Sequence, residues 1–118
     1  MAISWLLATS CQPNERTIWL RTLNNAHEPI EYLAFSNGEG HGRTRRFVLA
    51  PGDSVRTQLR LEGKGDGDYW MRYKFTSSKD TLACRFGYYT NGSPVEKELI
   101  LTIDADTVLV SRIPLDSY

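Results

Sequence analysis

The side chains best suited to chemistry in this sequence are guanidinium groups set beside aromatic rings. Arg56 and Arg60 stand four residues apart, Trp70, Arg72 and Lys74 follow at spacings of two, and Arg85 and Tyr89 stand four apart. Residues an even number apart share one face of an extended chain. If these three segments are strands in hairpin contact, Arg56, Arg60, Trp70, Arg72, Lys74, Arg85 and Tyr89 form one basic surface dotted with rings. Guanidinium groups grip phosphate, sulfate or carboxylate through paired N–H donors, and rings take sugars or cations on their faces. The expected ligands are therefore a sugar, a lipid headgroup or a protein, with peripheral membrane contact among the possibilities. Trp70 is the sharpest element, because an exposed indole gains by being covered. Arg43, Arg45 and Arg46 make a second basic cluster. The aromatic run through Phe86, Tyr88 and Tyr89 to Asn91-Gly92 is another place for contact with carbohydrate or a membrane interface. Strand alternation there turns Phe86 and Tyr88 inward and Tyr89 outward. The competing reading of all these cations is ordinary solubility, since the solvent faces of sheets are commonly rich in Lys and Arg.

Other chemistry finds less support. The two histidines, His27 and His41, lie beside Glu28-Pro29 and in a Gly-rich stretch, and no Gly-x-Ser-x-Gly elbow occurs. Cys84 falls on the expected core side of its strand, whereas a nucleophile needs exposure and an activating base. A non-enzymatic protein is expected. Asp104 and Asp106 could present two carboxylates to a cation, and Glu62-Gly63-Lys64-Gly65-Asp66-Gly67-Asp68 offers three on pliable backbone. Asp is also a common turn residue that bonds its own backbone. No metal and no cofactor is expected. Cys11 and Cys84 could form one disulfide, or Cys84 could be a small buried thiol.

Any such surface must be carried by a scaffold, and composition bounds its kind. The 118 residues suit one domain, 1–118. Hydrophobic residues make up 41% and charged residues 24%, an ordinary globular balance. Lys and Arg number 14, as do Asp and Glu, so no global field draws the chain to nucleic acid. Ile3 to Ala8 is too short to span a bilayer, and no Lys or Arg precedes Arg16. Leu7 to Cys11 faintly resembles a lipoprotein cleavage site; the plainer expectation is an N-terminal strand with Ile3, Trp5 and Leu7 on one face.

Period-two alternation dominates the rest of the chain, with no sustained helical period. Val55, Thr57, Leu59 and Leu61 alternate with Arg56, Gln58, Arg60 and Glu62; Tyr69, Met71, Tyr73 and Phe75 alternate with Trp70, Arg72 and Lys74. Leu82, Cys84, Phe86 and Tyr88 form a third inward set, and Leu99, Leu101, Ile103, Val108 and Val110 close the series. Upstream, Thr17–Leu23, Ile30–Phe35 and Arg45–Leu49 are β-branched or aromatic runs. Asn24-Asn25, Asn37–Gly40, Pro51-Gly52-Asp53, Asn91-Gly92 and Asp104–Asp106 punctuate them with turn residues. Short strands with turns every eight to twelve residues predict an all-β fold, an antiparallel β-sandwich of about eight or nine strands.

Asn24-Asn25 after a first strand, Pro51-Gly52-Asp53-Ser54 before another, Gly67–Tyr73, and Phe86-Gly87-Tyr88-Tyr89 give residues 17–113 a rhythm that resembles aegerolysin and actinoporin-like proteins. The resemblance implies a β-sandwich that binds membrane lipids and in some cases acts in pores. It carries over no site residue, and the chain departs from that family in having only Trp70 beyond Trp19. A self-assembling subunit, a homo-oligomer built by pairing strands or faces, is the third expectation.

Overall fold

The computed structural model describes residues 17–37, 41–61 and 65–115. The expected N-terminal strand, Cys11, Gly38–Gly40 and the Glu62–Lys64 part of the acidic tract lie outside the described residues. Within them all regular structure is β: β1 (Thr17–Asn24), β2 (Ile30–Asn37), β3 (His41–Arg43), β4 (Phe47–Leu49), β5 (Ser54–Arg60), β6 (Gly67–Phe75), β7 (Leu82–Thr90), β8 (Ser93–Pro94), β9 (Glu96–Ile103) and β10 (Val108–Pro114). They form two sheets. The first runs β10-β9-β1-β5 and the second β3-β2-β6-β7-β8, with β4 also pairing β2.

Every pairing is antiparallel except that of β1 with β9, which is parallel. The expected antiparallel arrangement thus holds for every pair but this one. Parallel neighbours need a long crossover rather than a hairpin, and here the chain supplies one. It leaves the first sheet after β1, returns as β5, builds β6 to β8 in the second sheet, and only then lays β9 beside β1.

Alternation does most of the work of burial. Ile18, Leu20, Leu59, Leu99, Leu101 and Ile103 of the first sheet and Leu33, Phe35, Tyr69, Met71, Tyr73 and Phe75 of the second belong to one core cluster. Each fully buried large apolar side chain contributes on the order of 1.5–3 kcal/mol against chain entropy. The turns are held by specific polar groups. Buried Asn24 donates from Nδ2 to the carbonyls of Glu28 and Leu49 and accepts from the Ala26 N–H at 3.0 Å, which shapes the β1–β2 loop. Pro51-Gly52 turns the chain into β5, with Gly52 at φ 84° and the Asp53 N–H donating to the Ala50 carbonyl.

One irregularity reverses a sequence expectation. Tyr69 pairs with Gly87 but Trp70 pairs with Arg85, so Phe86 is an extra residue on β7. Such a bulge moves the following side chains to the opposite face. Leu82 and Cys84, before it, face the core side as expected, although Leu82 is 42% exposed at the strand start. Beyond it Tyr89 is buried and Tyr88 is exposed, the reverse of simple alternation.

Candidate anion-binding site

The outer face of the second sheet positions the site. Because Tyr69, Met71, Tyr73 and Phe75 are buried, Trp70, Arg72 and Lys74 project from the other side of β6. Across the strands they form three rows: Ser36, Trp70 and Arg85; Ala34, Arg72 and Ala83; Tyr32 and Lys74. Arg72 thus rises between two alanines. Arg72 is exposed and makes no ion pair with any described residue.

A break in the sheet edge brings a second guanidinium over the same floor. β3 and β4 both pair β2, and residues 44–46 interrupt them. Thr44 anchors the break. Its N–H donates to the Phe35 carbonyl, while its hydroxyl accepts the Phe35 N–H and donates to the Arg45 carbonyl, each at 3.0 Å. Released from regular pairing, Arg45 lies over Phe47 at 4.9 Å, and Arg46 lies over the Tyr32 ring at 5.0 Å. Between Arg46 and Arg72 is a cleft of about 130 Å³ lined also by Tyr32, Ala34, Ser36 and Thr44. Arg46 likewise has no carboxylate partner among the described residues. The neighbouring cations differ in this respect: Lys74 pairs with Glu31 at 2.8 Å and Arg85 with Asp68 at 3.5 Å. Of these four cations, Arg46 and Arg72 are the two without a carboxylate partner among the described residues.

The seven residues expected to share one surface are therefore divided. Trp70, Arg72, Lys74 and Arg85 share the outer face of the second sheet, with Trp70 half-buried. Arg56 and Arg60 do not join them, because β5 pairs β1 in the first sheet and not β6. Succession in sequence does not imply pairing, and β5 and β6, though consecutive, belong to different sheets. Tyr89 is also removed from the surface. It packs on Tyr69 at 5.4 Å between centroids, and its hydroxyl lies where a Cβ on Gly67 would be. Arg46 came from the second basic cluster, and Tyr32 and Thr44 were not singled out by sequence. The Thr–Arg–Arg run before a β-type Phe-Val-Leu segment was the available signal for an interrupted edge.

Arg56 has a structural occupation on the outer face of the first sheet. Its guanidinium stacks on Trp19 at 3.8 Å and donates from Nε and Nη2 to the Glu98 carboxylate at 3.2 and 3.3 Å. Arg21 donates to the same carboxylate at 3.3 Å. Glu98 is buried, and the hydrogen bond from Arg56, together with the two positive charges, holds its pKa below the usual carboxylate value despite burial.

Two of the remaining carboxylate candidates are likewise occupied. Asp104 accepts from Asn25 Nδ2 at 2.7 Å, and its N–H closes the turn onto Thr107. Asp66 accepts the Asn91 N–H at 2.9 Å, docking the β5–β6 connection on the Asn91-Gly92 turn. Cys84 is a free thiol whose pKa is pushed up by burial. His27 is exposed in the β1–β2 loop. A wider hollow between Tyr88 and Val110 is bordered by Arg85 and Arg112, each already paired, with Asp68 and Glu96 respectively.

No family model matches the chain, and no curated protein matches it. A solved structure does. The NMR structure of a protein from Eubacterium rectale superposes with a TM-score of 0.58 at 14% identity, covering 92% of this chain and 100% of that one. At that identity the likeness concerns the fold alone.

Proposed function

We propose that the chain is a non-enzymatic binding module, a β-sandwich whose second sheet seats an anionic group of its ligand between Arg46 and Arg72. The observation that carries the reading is the pair of guanidiniums without a carboxylate partner among the described residues, facing one small cleft while Lys74 and Arg85 beside them are ion-paired. Two Arg donors meet an anion through charge-assisted hydrogen bonds of about 1.5–3 kcal/mol each. Arg72 is exposed, so little desolvation opposes them. Because association itself costs several kcal/mol, a bare tetrahedral anion is expected to bind weakly, on the order of millimolar or above. Titrating sodium sulfate against sodium chloride at constant ionic strength, with amide NMR as the readout, tests the reading. Shifts concentrated at Tyr32, Ala34, Ser36, Thr44, Arg46 and Arg72 support it. Shifts centred on Arg56 and Arg60, or identical in chloride, refute it.

One observation favours a second reading, self-assembly. β10 ends the first sheet, and its Leu109 is 60% exposed beside the partly exposed Val110. The other sheet edges carry blunting features: arginines on β5, the break between β3 and β4, and the two-residue β8 with Pro94. Pairing of β10 with a second copy predicts a dimer by light scattering that Leu109→Lys dissociates. A monomer at high concentration removes this reading.

A further inference from the structure

Resting on the anion-seat reading, we infer that the ligand is an acidic saccharide, a sugar carrying sulfate, phosphate or carboxylate. Its charged group sits between Arg46 and Arg72, and its ring lies on Trp70. Three features select this class. Trp70 is the next outward residue before Arg72 on β6, so the two side chains arise about 6.6 Å apart along the strand. That separation suits a pyranose ring whose acid group projects from its rim. Trp70 is also flanked across the strands by Ser36 and by Arg85, which is paired with Asp68. Ser36 is buried, so the accessible polar rim is the exposed Arg85–Asp68 pair on the β7 side, where donors and acceptors border the aromatic surface and suit a sugar's apolar C–H face rimmed with hydroxyls. The small side chains of Ala34 and Ala83 beside Arg72 leave the approach to its guanidinium low.

The same face suits other ligands less well. An extended peptide gains affinity by pairing its backbone with a sheet edge, but β6 already has β2 on one side and β7 on the other. A membrane surface is engaged through a cluster of exposed apolar side chains. Among the described residues around the cleft, the exposed aliphatics are scattered, Val48 on β4 and Leu82 at the start of β7.

The experiment compares affinities of the intact chain for inorganic sulfate and phosphate, N-acetylglucosamine 6-sulfate, glucose 6-phosphate, the two neutral parent sugars, and vesicles of phosphatidylcholine with phosphatidylserine. Amide NMR follows the small molecules and co-sedimentation follows the vesicles. The expected result is that at least one acidic sugar binds ten times or more tighter than its bare anion, with neutral sugars undetected. Trp70→Leu, which keeps an apolar cover on the sheet, loses that gain while binding of the bare anion persists; Trp70→Phe retains part of it. If the bare anions bind at the cleft but the sugars add nothing, or if the gain survives Trp70→Leu, the saccharide assignment falls and the anion seat stands. Should neither anion nor acidic sugar bind, both fall. Vesicle binding that outlasts Trp70→Leu and exceeds every sugar also overturns the assignment.

Discussion

Replacing Glu98 with Gln removes a buried negative charge while keeping the side-chain volume. In the native protein that carboxylate accepts three hydrogen bonds, one from Arg21 and two from Arg56, at 3.2–3.3 Å. Hydrogen bonds to charged groups contribute roughly 1.5–3 kcal/mol when well formed. These are long, and the Arg21 and Arg56 side chains remain 52% and 41% exposed, so both rehydrate when the charge is removed. Discounting for that screening, Glu98→Gln costs about 1–2 kcal/mol at neutral pH. The pH dependence fixes the mechanism. Arg56, with Arg21, lowers the folded-state pKa of Glu98 below its ordinary value. The unfolded chain then binds the proton more readily, and stability rises with pH through this group. The contribution is complete above the ordinary carboxylate value of about 4.3 and is lost as pH falls through the lower folded value. Urea unfolding of both proteins at pH 7 and at successively lower pH is the assay. The stability gap should narrow and close in acid. A gap of the same size at pH 7 and pH 3, or none at pH 7, refutes the assignment of Glu98 on β9 as the charged acceptor of Arg21 and Arg56.

Two further substitutions probe local packing and the cleft's support. Gly67→Ala places a methyl against the Tyr89 ring and hydroxyl, and Tyr89 is confined by Tyr69; a loss of about 1–3 kcal/mol is expected by thermal unfolding, partly recovered in Gly67→Ala/Tyr89→Leu. Thr44→Val keeps the β-branched shape but leaves the Phe35 N–H without its acceptor; it should cost about 1–2 kcal/mol by urea unfolding and weaken sulfate binding, because Arg46 is no longer held over Tyr32.

Most of the strands were readable because one apolar side chain in two must turn inward. Tyr69, Met71, Tyr73 and Phe75 are buried as alternation requires, as are Leu99, Leu101 and Ile103. Alternation carries no information about which strands become neighbours, so it does not reveal that Arg56 and Arg60 stand on a different sheet from Trp70 and Arg72. Nor does it reveal where a strand takes an extra residue, and the bulge at Phe86 exchanged the fates of Tyr88 and Tyr89. Glu98 lies in a Glu-Lys-Glu run that looks like a solvated edge; it is buried because cations from two other strands converge on it. The candidate site was half legible. Trp70 and Arg72 stand out by type and spacing on one strand, but their union with Arg46 depends on Thr44 breaking a sheet edge some 26–28 residues away.

The most direct measurement of the central claim is a double-mutant cycle on sulfate affinity with Arg46→Gln, Arg72→Gln and the pair, using Arg60→Gln as the control from the other sheet. Each cleft substitution should weaken binding roughly tenfold, equivalent to one charge-assisted hydrogen bond of about 1.5 kcal/mol. The double variant should bind undetectably and Arg60→Gln should match the parent. Equal weakening by Arg60→Gln, or parental affinity in the double variant, would contradict the placement of the anion between Arg46 and Arg72.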